Sequence, residues 1–366
     1  MSKILKSPAK YVQGPEILKE FDRYLQGMGN RLLIIISQSG TKRICPTLET
    51  CFAEKADFTL HYEIFKGECS QNQIDALVKS CREWGCTAVV GIGGGKILDT
   101  AKGVTYYAGL PVVIVPTVAS TDSPCSSLSV VYRDNGEFER YLFLDRCPDI
   151  VLVDTEVIVK APVSLLVAGM GDAMATWFEA RACRTSGKNN QVQAKPTWAA
   201  TGLAHMCWEH LQKDGPQAKK DAENGICSEA VETIVEVNTY LSSVGFESGG
   251  LGAAHAIQKG FTFIPQLHQL YHGNKVAFCT LTQLMLEQAP EEELRAVLHF
   301  CCEVGLPVCF ADMGYPDVEH DLLRLAAEKA CVAGSTIHNM PFPVTPEMVY
   351  DALLAADAAG REYRLQ

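Results

Sequence analysis

Residues 87–102 constrain the fold of this chain more than any other stretch. A short run of β-branched residues ends at Val90, and a helical pattern begins at Lys96. Three consecutive glycines stand between them: Gly93, Gly94 and Gly95. Because glycine has no Cβ and a helix N-terminus presents unpaired N–H groups and the positive end of its dipole, this turn can bind an anion such as a diphosphate. The plainer interpretation is a glycine turn that only joins a strand to a helix.

The loop departs from two familiar nucleotide-binding patterns. The pattern G-x-G-x-x-G, counted from Gly91, needs a glycine where Lys96 stands. A P-loop needs glycine at position 90 and a hydroxyl residue after the lysine, whereas this chain has Val90 and Ile97. The loop by itself therefore indicates an anion site between a strand and a helix without naming the ligand.

Composition excludes several classes of protein. A chain of 366 residues suits two domains, and 47 % hydrophobic residues can bury a sizeable core. The formal net charge of −11 and the lack of a basic block disfavour nucleic acid as a partner. No apolar run reaches transmembrane length and residues 1–4 do not resemble a signal peptide, so we expect a cytoplasmic protein without a membrane partner. The 15 cysteines form no C-x-x-C pair, so we expect reduced thiols and a metal site, if any, built from His, Asp or Glu.

The arrangement of apolar runs predicts the fold class. Aliphatic runs occupy residues 32–36, 88–90, 112–115 and 150–153, with helical patterns at about 71–85 and 96–108. Unbroken β-branched runs that alternate with helices favour a parallel sheet covered on both faces. Beyond Pro162, which suits the first turn of a helix, helical patterns cover about 163–184, 194–212, 228–244, 250–261, 274–288, 291–304, 318–332 and 346–358. The prediction is an α/β fold with a Rossmann-like nucleotide-binding domain at 1–161 and an all-α domain at 162–366.

Three residues with small or helix-forming neighbours are candidates for a metal site. Asp172 stands in the segment AGMGDA, His255 in GGLGAAHA, and His272 directly before a helical pattern. One carboxylate and two imidazoles make a three-ligand site that leaves a position open for water or substrate. Each residue taken alone is more simply a core or capping residue, and His268 lies between the two histidines. Spacing alone therefore leaves the ligand set open.

Several long motifs run through the chain almost from end to end. They are GIGGGK at 91–96 with Asp99 and Lys102, PTVASTDSPCS at 116–126, AGMGD at 168–172 with WFEAR at 177–181, VGFESGG at 244–250, and HGNKV at 272–276. In this order they resemble the glycerol dehydrogenase branch of the iron-containing (group III) alcohol dehydrogenase family. The resemblance implies an N-terminal nucleotide domain, a C-terminal helical domain of the dehydroquinate synthase-like type, and a homo-oligomer, an octamer.

The resemblance also implies roles for individual residues. It places a metal ion on Asp172, His255 and His272. It places the diphosphate of a dinucleotide at Gly95 and Lys96, within a loop that includes Gly93 and Gly94. The other implied dinucleotide contacts are Thr117, Ser120, Ser126, Leu128 and Tyr132. Asp122 would hold a substrate hydroxyl and, with His255, would be catalytic, while Phe246 would form an apolar wall of the substrate pocket.

Two departures from the family pattern affect the cofactors. Iron-dependent relatives carry a histidine four residues after the metal-binding aspartate, where this chain has Thr176, so three ligands favour Zn²⁺ over iron. NAD-using members carry an aspartate after the strand that ends here at Ile36, and this chain has Ser37. Because that aspartate accepts hydrogen bonds from the adenosine ribose and repels a 2′-phosphate, we expect NAD with NADP as an open alternative. Lys42 and Arg43 are close to Ser37 in sequence and would matter only if NADP binds.

The implied activity is oxidation of the secondary hydroxyl of glycerol or a related vicinal diol to the ketone, with hydride transfer to a nicotinamide cofactor at a zinc site. A same-fold reductase of hydroxy- or keto-carboxylates, or of other small carbonyls, is the alternative, although Asp122 would repel a substrate carboxylate. A same-fold enzyme acting on a sugar phosphate would need clustered basic residues, and the metal motifs carry only Lys259 and Lys275. A nucleotide-binding protein without activity would not need the three candidate ligands.

Overall fold

Contacts along the chain define two compact units. The structure is a computed structural model and describes residues 2–365. One unit holds residues 6–119 and 123–161, and the other holds residues 2–5, 120–122 and 162–365. The segment 120–122 therefore clusters with the helical unit, whereas the sequence prediction assigned all of 1–161 to the nucleotide-binding domain. The functional assignment of the two predicted domains stays a prediction.

The first unit is built on a parallel sheet. Its strands, together with those of a separate hairpin, are β1 (Lys10–Gly14), β2 (Arg31–Ile36), β3 (Thr59–Ile64), β4 (Ala88–Gly93), β5 (Val112–Pro116), β6 (Leu128–Tyr132), β7 (Phe138–Phe143) and β8 (Ile150–Asp154). Six of them form the sheet in the order β1-β8-β5-β4-β2-β3, and every neighbouring pair is parallel. Strands β6 and β7 pair antiparallel as the hairpin. The predicted α/β fold class is confirmed.

The four aliphatic runs of the sequence are the four central strands. Residues of β4, β5 and β8 are buried along their whole length, and β2 is buried after its first residue. The edge strands β1 and β3 are only half-buried, and their polar residues hid them from the pattern. Full burial of one valine, leucine or isoleucine side chain, as in the central strands, stabilises a fold by roughly 1.5–3 kcal/mol. The core therefore lies where the sequence is most continuously apolar.

Helices cover the sheet. They are α1 (Phe21–Tyr24), α2 (Gln38–Phe52), α3 (Gln71–Trp84), α4 (Gly95–Ala108) and α5 (Thr155–Val159), with a 3₁₀ turn at Ile17–Glu20. Helices α3 and α4 match the predicted helical patterns within one residue. Helix α2 was missed because its first turns are polar and it contains Pro46. Its inner face nevertheless packs Ile44 and Leu48 into the same buried cluster as Ile34 and Ile36 of β2.

The second unit is helical. Its α-helices are α6 (Val163–Ser186), α7 (Trp198–Glu223), α8 (Glu229–Glu236), α9 (Ser242–Gly249), α10 (Ala253–Gly260), α11 (His272–Leu286), α12 (Glu291–Val304), α13 (His320–Ala330) and α14 (Pro346–Arg364). Short 3₁₀ turns lie at Phe261–Phe263, Pro265–Leu267, Ala311–Met313 and Thr336–Asn339. The helix predicted over 228–244 is interrupted by a π-helical segment, Val237–Leu241, between α8 and α9. Within residues 2–365 no helix is long and apolar enough to cross a membrane.

Candidate functional site

Two glycines allow α6 and α11 to approach closely, and this approach brings the first two candidate ligands together. A Cβ on Gly273 would lie 1.7 Å from the carbonyl oxygen of Ala168, and a Cβ on Gly171 would lie 2.5 Å from the carbonyl oxygen of Gly273. Any side chain at either position would push the helices apart. Asp172 follows Gly171 on α6 and His272 precedes Gly273 on α11, so the glycine contact sets the distance between these two side chains.

Asp172, His255 and His272 converge at one point of the helical unit. His255 Nε2 lies 3.3 Å and His272 Nε2 lies 3.2 Å from Asp172 Oδ1. One ligand atom from each residue lies within 4.8 Å of the others. Ligands bound to zinc at their usual 2.0–2.1 Å in a tetrahedron are about 3.4 Å apart, close to the observed spacing. His268, the alternative histidine, is exposed, and its Nε2 lies 2.9 Å from the carbonyl oxygen of Thr262 instead.

The two oxygens of Asp172 have different surroundings. Oδ2 accepts a hydrogen bond from the backbone N–H of Asp122 at 3.1 Å. Oδ1 is buried and has no hydrogen-bond partner among the described residues, although both imidazole Nε2 atoms lie close to it. A buried carboxylate oxygen that faces two imidazole nitrogens without a hydrogen bond suits a cation. The donor set therefore fits a divalent metal. The cluster is open to solvent on the side of His272, whose side chain is 37 % exposed.

Glu179 orients His255. Its Oε2 lies 2.5 Å from His255 Nδ1, and since an ionised carboxylate only accepts, Nδ1 carries the proton. In the neutral ring Nε2 then has the lone pair, and it faces Asp172. A carboxylate that holds the second nitrogen of a ligating histidine is the usual support of such sites. The sequence analysis quoted Glu179 within a motif but assigned it no role, because its partner lies 76 positions away along the chain.

Two buried side chains hold the first turn of α10, which carries His255. Glu179 Oε1 accepts hydrogen bonds from the N–H groups of Gly252 and His255, each at 2.9 Å. Gln283 Oε1, on α11, accepts from the N–H groups of Ala253 and Ala254, each at 3.0 Å. These four N–H groups have no acceptor inside their own helix. The helix end is thus anchored to both helices that carry the other two candidate ligands.

Electrostatics at the cluster couple the three residues. Burial acts to raise the pKa of Asp172, but the neighbouring imidazoles of His272 and His255 outweigh it and lower that pKa. For His255 burial acts to lower the pKa, and the carboxylates of Glu179 and Asp172 raise it well above its ordinary value. Positive charge at this point is therefore favoured, whether it is a proton or a metal ion.

Thr176 occupies the position, four residues after Asp172, at which the sequence analysis expected a histidine in an iron-dependent enzyme. It lies on the same face of α6 as Asp172, one turn later, and is fully buried. Its Oγ1 lies 2.8 Å from Ser242 Oγ on α9. A Cβ on Gly245 of α9 would lie 2.6 Å from Thr176 Cγ2, so the two helices leave no room for a larger side chain. The packing here favours a site with three protein ligands.

The predicted substrate residues also lie in the helical unit. Asp122 is held beside the metal cluster because its N–H binds Asp172, while its carbonyl oxygen accepts from Ser243 Oγ on α9. Phe246 is buried on the same helix, three residues later. The structure therefore joins Asp122 directly to a candidate metal ligand, and the role of Phe246 as a pocket wall stays a prediction.

The glycine loop lies at the carboxyl edge of the parallel sheet. Ser37, Gly94 and Thr117 directly follow β2, β4 and β5, whose ends are aligned by the pairs Ile36–Ile92 and Gly93–Pro116. The backbone N–H of Thr117 binds the carbonyl oxygen of Gly93 at 3.0 Å. A Cβ on Gly93 would collide with Ile97 Cδ1 at 2.5 Å, whereas one on Gly94 would only touch Val118 at 3.6 Å. Gly93 is thus needed for packing, and Gly94 leaves open space in front of α4.

A buried ion pair attaches the other predicted dinucleotide residues to α4. Lys102 Nζ lies 3.3 Å from Asp99 Oδ1, and it donates to Ser126 Oγ at 3.3 Å and to the carbonyl oxygen of Leu128 at 3.0 Å. Asp99 Oδ2 accepts from the N–H of Val130 at 3.0 Å. Lys102 and Asp99 thereby fix the start of β6 against the helix that begins at the glycine loop.

Three of the predicted residues need separate placement. Tyr132 ends β6, and Lys96 Nζ lies 5.5 Å from the centre of its ring. Ser37 caps α2, where its hydroxyl accepts from the N–H of Gly40 at 3.0 Å. Ser120 belongs to the segment that clusters with the helical unit. The dinucleotide roles of all these residues stay predictions.

The chain is similar to known proteins in both sequence and structure. The sequence model described as "Iron-containing alcohol dehydrogenase" matches residues 8–155. Glycerol dehydrogenase of Citrobacter freundii is 47 % identical and glycerol dehydrogenase of Escherichia coli O6:H1 is 48 % identical, each with 99 % of both chains covered. The crystal structure of glycerol dehydrogenase from Schizosaccharomyces pombe superposes with a TM-score of 0.96 at 34 % identity, covering 100 % of this chain and 93 % of that one.

Proposed function

We propose that this chain, which belongs to the glycerol dehydrogenase group of the iron-containing alcohol dehydrogenase family, oxidises the secondary hydroxyl of glycerol or a related vicinal diol to the ketone. Glycerol would yield dihydroxyacetone, and the hydride would pass to a nicotinamide cofactor. Family membership makes the chain a metal-containing, nicotinamide-linked alcohol dehydrogenase. The observation that carries the proposal is the convergence of Asp172, His255 and His272, with Asp122 attached to it by one hydrogen bond.

Zinc is the metal that the donor set supports best. Asp172, His255 and His272 would hold it, and packing around Thr176 supports three protein ligands rather than four. Three ligands with an open position are typical of catalytic zinc. The chemistry that bound zinc supplies is Lewis acidity, which lowers the pKa of an alcohol. Glu179 supports it by keeping the proton of His255 on Nδ1, away from the metal.

Asp122 would select a diol over a simple alcohol. Its backbone is fixed on both sides, by Asp172 through the N–H and by Ser243 through the carbonyl oxygen. A carboxylate in a fixed position can accept a hydrogen bond from the second hydroxyl of the substrate. A buried acceptor left without that hydroxyl costs roughly 1–3 kcal/mol. Phe246 would line the apolar side of the same pocket.

The cofactor would bind along the carboxyl edge of the sheet. Gly94, Gly95 and Lys96 would receive the diphosphate at the start of α4, as anions do at helix N-termini. The other dinucleotide contacts would be Gly93, Thr117, Ser120, Ser126, Leu128 and Tyr132. We propose NAD as the cofactor, with weak rejection of NADP, because the hydroxyl of Ser37 already caps α2 and carries no charge against a 2′-phosphate.

A reductase of hydroxy- or keto-carboxylates remains the second candidate. A substrate carboxylate would meet the negative charge of Asp122, whose backbone N–H binds Asp172. Like charges close together oppose binding. The geometry therefore favours a neutral polyol, and no observation in the helical unit favours the acid.

One experiment tests the function and the metal together. The purified protein is assayed with glycerol, 1,2-propanediol, 2,3-butanediol, dihydroxyacetone and 2-propanol, each with both cofactors, and its metal content is measured. We expect about one zinc per chain and a higher kcat/KM for the diols than for 2-propanol. Turnover restricted to hydroxycarboxylates, or full activity after complete removal of zinc, would contradict the proposal. A homo-oligomer, predicted as an octamer, and a cytoplasmic location stay predictions that sedimentation and cell fractionation can test.

A further inference from the structure

An acidic side chain reaches the glycine loop from a neighbouring strand connection. Glu68 lies between β3 and α3, and its Oε1 lies 2.5 Å from Lys96 Nζ. Lys96 is the second residue of α4, directly after the three glycines. The side chains are 25 % and 50 % exposed, respectively, so the pair stands at the surface where a diphosphate would arrive. The sequence analysis gave Glu68 no role.

The surroundings of this ion pair keep the lysine beside the carboxylate. The ring of Tyr132 lies 5.5 Å from Lys96 Nζ and adds a weak cation–π attraction. Glu68 Oε2 is buried and has no hydrogen-bond partner in the described part of the chain. Lys96 is therefore the counter-charge of Glu68, and a carboxylate that lost it would be left poorly compensated.

We propose that Glu68 is an affinity-determining residue of the dinucleotide site, because its carboxylate competes with the cofactor diphosphate for the ammonium group of Lys96. The inference rests on the proposed function, which places the diphosphate at the start of α4. In this structure Lys96 binds Glu68. A diphosphate must then bind through backbone N–H groups alone, or must displace the carboxylate.

Competition of this kind weakens cofactor binding. Partly exposed ion pairs contribute on the order of 1 kcal/mol or less, which bounds the effect at about fivefold in affinity. Weak binding has a use in a dehydrogenase, since release of the reduced cofactor limits turnover in many enzymes. Glu68 would thus lower the affinity for the dinucleotide and speed the release of the reduced cofactor.

Calorimetric titration with NAD and NADH tests the competition without relying on activity. The wild-type protein is compared with Glu68→Gln, Lys96→Met and the double variant. Glu83→Gln is the matched control, because Glu83 pairs with Lys79 on the exposed face of α3, in the same unit. We expect Glu68→Gln to lower Kd about two- to fivefold, and Glu83→Gln to leave Kd unchanged. In the Lys96→Met background the gain from Glu68→Gln should fall by at least half.

Three results would overturn the inference. An unchanged or raised Kd in Glu68→Gln means that the pair only braces the loop. A gain of the same size with and without Lys96 means simple charge repulsion rather than competition for the lysine. If the wild-type protein binds no dinucleotide, the proposed function falls and the inference falls with it, whereas normal wild-type binding with either of the first two results refutes the inference alone.

Discussion

Replacing Glu179 by glutamine should lower zinc affinity without unfolding the protein. The amide oxygen of glutamine can take the place of Oε1 and keep the hydrogen bonds from the N–H groups of Gly252 and His255, so the first turn of α10 stays capped. The amide NH₂ then takes the place of Oε2, 2.5 Å from His255 Nδ1. Two donors would face each other there if the ring kept its proton on Nδ1.

The ring can avoid this conflict in only one way. It can move its proton to Nε2 and accept a hydrogen bond at Nδ1, but Nε2 then has no lone pair for the metal. The tautomer that can bind the metal keeps its proton on Nδ1, where that buried donor has no acceptor. This costs about 1–3 kcal/mol, which corresponds to roughly a 10- to 100-fold loss of zinc affinity. The expected effect is specific to metal binding, since the hydrogen bonds that support α10 remain.

The assay is zinc competition against a chelator of known affinity, with metal content measured after dialysis. Glu293→Gln is the matched control, because Glu293 lies on α12 in the same unit and pairs with Arg181 at 2.5 Å. We expect a 10- to 100-fold weaker affinity in Glu179→Gln, near wild-type affinity in Glu293→Gln, and thermal unfolding midpoints within a few degrees for the metal-free proteins. Zinc affinity within threefold of wild type in Glu179→Gln would refute the tautomer argument.

Three further substitutions test the remaining sites. Asp122→Ala should reduce kcat/KM for glycerol at least tenfold more than for 2-propanol, which has no second hydroxyl, and equal losses would show that Asp122 serves the metal site alone. Ser37→Asp should lower KM for NAD and raise it for NADP by about one decade each, with unchanged thermal stability because aspartate also caps helices, and two unmoved KM values would place the ribose elsewhere. Gly94→Val should raise the dinucleotide KM at least tenfold, because the new side chain would stand where the diphosphate approaches. Zinc content should stay normal, since a Cβ at Gly94 meets no protein atom closer than 3.6 Å. A normal KM would show that the diphosphate does not approach there.

Much of the fold was predictable because its signals are local. The central strands β2, β4, β5 and β8 are buried almost throughout, and a strand buried on both faces must be apolar at every residue. Long helices such as α6 and α12 follow their own periodicity. The predicted boundaries of α12, 291–304, agree with the structure at both ends. Elements that are half-buried or broken by proline, such as β3 and α2, escaped because nothing in their own residues distinguishes them from loops.

The three candidate metal ligands could be named from the sequence, but the residues that position them could not. Resemblance of whole motifs singled out Asp172, His255 and His272, which the structure brings together, while spacing alone left His268 in play. Glu179 and Gln283 hold α10 through contacts that span 76 and 30 positions of the chain. No periodicity connects residues so far apart.

The sequence by itself determined the central strands and the long helices, where the glycine loop lies and which side chains have ligand chemistry. Only the tertiary structure decided which of these side chains meet. It did so through contacts such as that of Gly273 with Ala168. This contact lets α6 and α11 approach until Asp172 Oδ1 and His272 Nε2 are 3.2 Å apart. It also paired Glu68 with Lys96 and filled the space beside Thr176. The physical reason is that periodicity acts over a few residues, whereas distances between side chains on different helices depend on how closely their backbones pack.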